Sequence, residues 1–208
     1  MCITIHPDSN VILVQGNLCH QRDCLARRIP DKLPNLDTEA SWSKSAYHGW
    51  GYGYGLYLTC TEDRFPKLIQ VETASISESE VISAKEEILL ETIRPLTVAA
   101  DNGYTQARRI RNWAKRGVIL LTPAVKWKQG QFAQAYHHFI KRKDNRRRLA
   151  KRRTSVEPVF DLVAKVLGCQ GKQKQLPVSG LKNVRTCLAL GALTVQIAMV
   201  VNSIWRLP

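Results

Sequence analysis

The sequence predicts an α/β protein, a mixed sheet flanked by helices. Apolar, β-branched runs of strand length alternate with stretches of helical period, and most of the runs close on Gly, Pro or Asp. With 208 residues, 44% of them hydrophobic, the chain is long enough for a single domain spanning 1–208 with its own core.

In chain order, "CITI" at 2–5 alternates as a strand and is expected to stop at His6-Pro7-Asp8. "SNVILVQG" follows as a second β-branched run ending at Gly16. Residues 17–49 show little periodicity, carry Pro30 and Pro34, and are expected to form an irregular excursion. "GYGLYLTCTEDRFPKLIQVET" has two apolar runs around Glu62-Asp63-Arg64, the pattern of a hairpin. "SESEVISAKEEILLETI" gives the clearest helix, with acids in its first turn where the helix dipole favours them. A strand "LTVAAD", a helix "YTQARRIRNWAKRG" closed by Gly117 and a strand "VILLTP" closed by Pro123 come next. Residues 124–153 are expected to be a basic connecting region, followed by helices over 154–168 and 180–203. This order of elements is that of an α/β sheet protein. No internal repeat interrupts it.

Thirty-one Lys and Arg against seventeen Asp and Glu give a net charge of +14. Such an excess points to a polyanion, nucleic acid before an anionic membrane surface. The charge is concentrated in "KRKDNRRRLAKRR", which holds Lys141, Arg142, Lys143, Arg146, Arg147, Arg148, Lys151, Arg152 and Arg153 against Asp144 alone. A one-sided cluster is the footprint of phosphate contact; an exposed linker is the alternative. Trp127, Tyr136, His137 and His138 stand just upstream, placed either to stack on bases or to pack on the core.

The six cysteines show no disulfide spacing and are expected to be reduced. Cys19, His20 and Cys24 have ligand-like spacing but no matching second pair to close a zinc site. Asp8 comes before any apolar run, so no secretory leader is expected. "TCLALGALTVQIAMVVNSIW" at 186–205 is interrupted by Gln196 and Asn202 and is expected to be a buried core helix rather than a membrane span. "GWGYGYG" lacks dinucleotide-loop spacing and has no helix after it, so it is expected to be an aromatic strand entry.

Three carboxylates stand out. Asp101 ends a predicted strand, where ligands of open α/β sheets sit. Asp8 follows a strand-like run in the same way. Burying either alone is costly, and a divalent cation removes that cost. Glu157 falls at the edge of a helical stripe made by Val156, Phe160, Val163 and Leu167. Turn or helix-cap roles compete for the aspartates, and Thr154-Ser-Val-Glu157 also reads as a capping box.

These segments resemble the catalytic domain of bacterial insertion-sequence transposases of the DDE class, which have an RNase H-like fold. "DSNVILVQGNLCH" resembles the segment of the first aspartate, and "LDTEASWSKSAYHGWGYGYGLYLT" the block after it. "AADNGY" resembles the second-aspartate motif and "RRTSVEPVFDLVAK" the block with the catalytic glutamate, Arg153 four residues ahead of it. "LPVSGLKNVRTCLALGALTVQIAMVVN" resembles the closing helix. The resemblance implies that Asp8, Asp101 and Glu157 bind two Mg²⁺ or Mn²⁺ ions. It implies hydrolysis of a phosphodiester at element ends and transfer of the freed 3′-hydroxyl to target DNA. Double-stranded DNA, both element ends and target, is the implied partner, held by the basic run. The implied place is the cytoplasm, at the nucleoid, with no membrane, and pairing with a second copy stays open. Departures at Ala150, Pro158 and Ala164 leave a catalytically inactive, truncated DNA-binding remnant as the alternative.

Overall fold

The computed structural model describes residues 3–26, 28, 33–45, 49–123, 130–169 and 175–205. Seven strands form one mixed sheet: β1 (Thr4–Val14), β2 (Ser41–Ser45), β3 (Gly49–Thr61), β4 (Pro66–Thr73), β5 (Thr97–Ala99), β6 (Ile119–Leu121) and β7 (Gln175–Leu176). Its order is β2-β3-β1-β5-β6, with β4 also on β3 and β7 also on β1. β1, β5 and β6 are parallel, whereas β2 and β3 are antiparallel. The helices are α1 (Gln21–Leu25), α2 (Glu78–Ala84), α3 (Ala107–Lys115), α4 (Gln131–Lys141), α5 (Lys143–Val166) and α6 (Leu181–Trp205). A π-helical turn over Ile88–Ile93 follows α2 and ends at Arg94 in the left-handed region.

Several sequence expectations change. "CITI" and "SNVILV" are one strand, unbroken at Pro7. The Ile3 carbonyl accepts from Leu96 and Thr97 on the β5 side, and Pro7, on the same phase, turns its missing N–H to where β5 has ended. The stretch 17–49 carries α1 and β2, and 124–153 carries α4 and the first half of α5. The helix foreseen from 154 begins at Lys143 and runs on past Pro158. Thr154 therefore lies inside a helix, its hydroxyl donating to the Lys151 carbonyl, and no capping box forms.

The chain divides into two compact units, residues 1–8, 58–68 and 78–159, and residues 9–57, 69–77 and 160–208. β1, β3, β4 and α5 each run through both. The first unit's core joins Ile5, Val98, Ala100 and Leu120 of the sheet to Ile82 of α2 and to Ile110 and Trp113 of α3. Burying such side chains contributes roughly 1.5–3 kcal/mol each.

The second unit holds the aromatic part of β3, residues 49–57, as its sequence suggested. At Gly53 a Cβ would collide with the Ile12 carbonyl, so glycine lets β1 come close. Tyr52 donates to the Asp37 carbonyl and Tyr54 to both Asp37 carboxylate oxygens. Asp37 is buried and also accepts from the Gly180 N–H just before α6. Burial and the neighbouring Asp37 push the Tyr54 hydroxyl well above its usual pKa. Tyr54→Phe is expected to cost about 1–3 kcal/mol, because it strips a donor from a buried carboxylate. Urea denaturation of the two proteins measures it.

α6 corrects a further expectation. Its inner face, Val184, Leu188, Gly191, Ala192 and Val195, is buried, but the C-terminal half is open to solvent. By length and composition α6 could cross a membrane, yet Gln196 and Asn202 still interrupt it.

Candidate active site

Asp8 lies within β1, not at its end, and Asp101 lies just past β5. Thr4 pairs with Thr97 and Ile5 with Val98. Carried three residues further, the same register puts Asp101 opposite Asp8. The Ala100 N–H still bonds Leu121 and Asp101 is extended, so the chain holds its direction that far. Paired residues of a parallel ladder share a face, and faces alternate along a strand. Ile5, Val98 and Ala100 point into the core; Asp8 and Asp101 therefore share the other face.

α5 lies on that face. Arg148 bonds the Thr97 hydroxyl, Lys151 pairs with Glu62 at 3.2 Å and Ser155 donates to the Glu62 carbonyl. Arg152 Nη1 stands 2.7 Å from Asp8 Oδ2, with the two side chains only 11% and 15% exposed. His6, two residues before Asp8, is fully buried and its imidazole pKa is lowered, chiefly by that burial. Burial, with the Asp8 charge nearby, pushes the Cys60 thiol up to about 12.

The loop after Asp101 is fixed from three sides. Asp101 Oδ1 accepts from the Gly103 N–H at 2.7 Å and caps the short 3₁₀ turn Asn102–Tyr104. A Cβ at Gly103 would strike Glu78 Oε2 and stand 3.1 Å from Asp101 Oδ1, so glycine lets the Glu78 carboxylate approach. Arg109, buried in α3, donates to the Tyr104 carbonyl, the Ser79 carbonyl and the Ser83 hydroxyl. Burial lowers its pKa, but a guanidinium starts so high that it stays charged.

Glu157 is elsewhere. Its side chain is 61% exposed, 3.9 Å from Arg153 one turn earlier. Five residues separate it from Arg152, so it points about 140° away around the helix. Pro158 does not keep Arg153 and Glu157 off a shared face. Asp8 and Asp101 offer the hard oxygen donors that divalent ions take. Among the described residues, however, no group of three or more His, Cys, Asp and Glu side chains is gathered to hold a metal ion. The side chain of Cys24 and all of Trp127 lie outside the described residues.

The basic run splits by direction. Lys141, Arg142, Lys143, Arg146, Arg147 and Arg153 are exposed, while Arg148, Lys151 and Arg152 face the sheet. Tyr136 is packed, its hydroxyl donating to the Leu120 carbonyl and accepting from the Thr122 N–H. It is therefore not free to stack on a base. The sequence reading set Arg148, Lys151 and Arg152 among the phosphate contacts and passed over Ser155, although the 3–4 spacing of these residues is that of one helix face.

A protein-family profile described as transposase DDE domain matches residues 8–174. The chain belongs to this family. The DDE transposase domain is thus a DNA transposase catalytic domain with an α/β, RNase H-like mixed sheet. Its family acts on DNA and depends on divalent metal. No curated protein matches the chain.

Proposed function

We propose that this DDE transposase domain cleaves a phosphodiester at the ends of a DNA element and joins the freed 3′-hydroxyl to target DNA, using Asp8, Asp101 and Glu157. What supports the reading is the parallel register of Thr4 with Thr97 and Ile5 with Val98, which, carried three residues on, faces Asp101 with Asp8. These carboxylates would hold two Mg²⁺ or Mn²⁺ ions, which would activate the attacking oxygen and stabilise the leaving one. The chain's own part is to fix position. β1 carries Asp8, β5 leads into Asp101 just past its end, and Arg109 and Gly103 hold the loop that follows. Glu157 is the third carboxylate of the reading and stands apart from the other two, on the exposed side of α5. The working place of such a protein is the nucleoid.

The six outward cations of the basic run would lie along DNA phosphates. If all six neutralise phosphate, log Kd against log salt has a slope of magnitude about 5. Arg146→Ala with Arg147→Ala is expected to reduce that slope by about 2 and to weaken all DNA sequences alike. Filter binding across a salt series reads it.

The function itself is tested by nicking of duplex DNA in Mn²⁺, in wild type and in Asp8→Ala and Glu157→Ala. Cleavage that needs the metal and disappears in both variants supports the assignment. Undiminished cleavage in either variant removes that residue from the site, and wild-type cleavage that survives chelation rejects the reading.

A further inference from the structure

α3, α4 and β6, the last strand in the sheet order, line a groove of 390 Å³ within the first unit. Its walls include Ile110 and Ala114 of α3, Ile119 of β6, and Phe132, Ala135 and Phe139 of α4. Ala114, Ile119 and Ala135 are exposed, so the groove is open to solvent. Arg111 lies over the Phe132 ring, 4.4 Å from its centre, and Arg142 over the Phe139 ring at 5.4 Å. Phe132 and Phe139 are seven residues apart on α4, so the two guanidiniums mark points on the order of 10 Å apart along it.

We propose that this groove docks an acidic amphipathic helix of a partner protein, with apolar side chains in the groove and carboxylates on Arg111 and Arg142. Charge selects the acids. α3 and α4 contain no Asp or Glu. Arg108, Arg111 and Lys115 form an exposed row at 3–4 spacing on α3. Among the described residues, neither Arg111 nor Arg142 pairs with a carboxylate. The strand edge selects the helix. An extended peptide would add to β6, but the Tyr136 hydroxyl already holds the Leu120 carbonyl and the Thr122 N–H. A helix needs no strand edge, only side chains at 3–4 spacing for the groove. Nucleic acid fits less well. A base would have to displace a guanidinium to stack on either phenylalanine, and Ile110, Ala114, Ile119 and Ala135 offer no ring. Carboxylates seven residues apart on a helix, with apolar residues three and four on from the first, match the spacing of the two guanidiniums. The inference is independent of the catalytic assignment, because Asp8, Asp101 and Glu157 are not in the groove.

The probes are fluorescein-labelled helical peptides with two glutamates in that spacing and Leu, Ile, Phe or Trp at the two positions between. Anisotropy is read as the full chain is titrated in. The best glutamate peptide is expected to bind wild type with a Kd on the order of 10 µM, and its lysine version about tenfold more weakly or worse. Arg111→Glu is expected to weaken the glutamate peptide about tenfold and to recover binding when one glutamate is replaced by lysine. Ala114→Phe fills the groove from an exposed position. It is expected to abolish peptide binding with circular dichroism and DNA affinity unchanged. No binding by any glutamate peptide, equal binding of the lysine versions, or binding that survives Ala114→Phe overturns the proposal. So does a loss of DNA affinity in Ala114→Phe, which would make the groove part of the DNA surface.

Discussion

Asp101→Asn is expected to lower metal-dependent DNA nicking by on the order of 10³-fold, a loss of several kcal/mol of transition-state stabilisation, while leaving the fold almost as stable as before. The argument separates two jobs of one side chain. Asp101 Oδ1 caps the 3₁₀ turn through the Gly103 N–H, and an asparagine oxygen does that nearly as well. Asparagine does not carry the negative charge that the proposed site needs. Asp101→Ala removes both, so it should be as inactive as Asp101→Asn and about 1 kcal/mol less stable. Nicking rates and urea midpoints for the pair make the comparison. An active Asp101→Asn would show that the residue is a cap and nothing more. An inactive variant that has also lost its fold would leave the two jobs unseparated, which is why the asparagine form matters.

Much of the sheet was visible in the sequence because strand alternation is a local signal. β3, β5, β6 and the Asp101 end of β5 follow from apolar runs and their terminators. Pro7 misled because its effect depends on which neighbour its missing N–H faces, and that is a tertiary fact. The basic run misled differently. Nine cations in thirteen residues, with one acid among them, read as a connecting region rather than a helix. Three of them are answered by Thr97, Glu62 and Asp8, distant in sequence, and the others project into water. α6 was expected to be buried on composition alone, but composition does not say how many sides of an apolar helix its own fold covers. Glu157 was placed from a resemblance, and its exposed position on α5 is something no local pattern shows.

Arg152→Met should be the most destabilising single change near the site, by about 3–5 kcal/mol in metal-free buffer. Methionine fills similar space, so the loss is electrostatic. It leaves Asp8 as a carboxylate with little water around it and its 2.7 Å partner gone. Two controls establish that cause. In the Arg152→Met background, Asp8→Asn removes the carboxylate charge that Arg152 faced and should restore most of the stability. Mn²⁺ should also stabilise Arg152→Met more than wild type, since a cation at Asp8 no longer competes with a guanidinium. An ion at ten times its Kd adds about 1.4 kcal/mol, enough to see in a melting curve. Rescue by asparagine without rescue by Mn²⁺ would make Arg152 a structural partner of Asp8 and would put the metal elsewhere. Rescue by both would mean that Arg152 occupies, in the metal-free chain, the electrostatic place an ion takes in the working one. Arg152 and Glu157 would then be two side chains of one helix about 140° apart around it, the first on Asp8 and the second open to solvent.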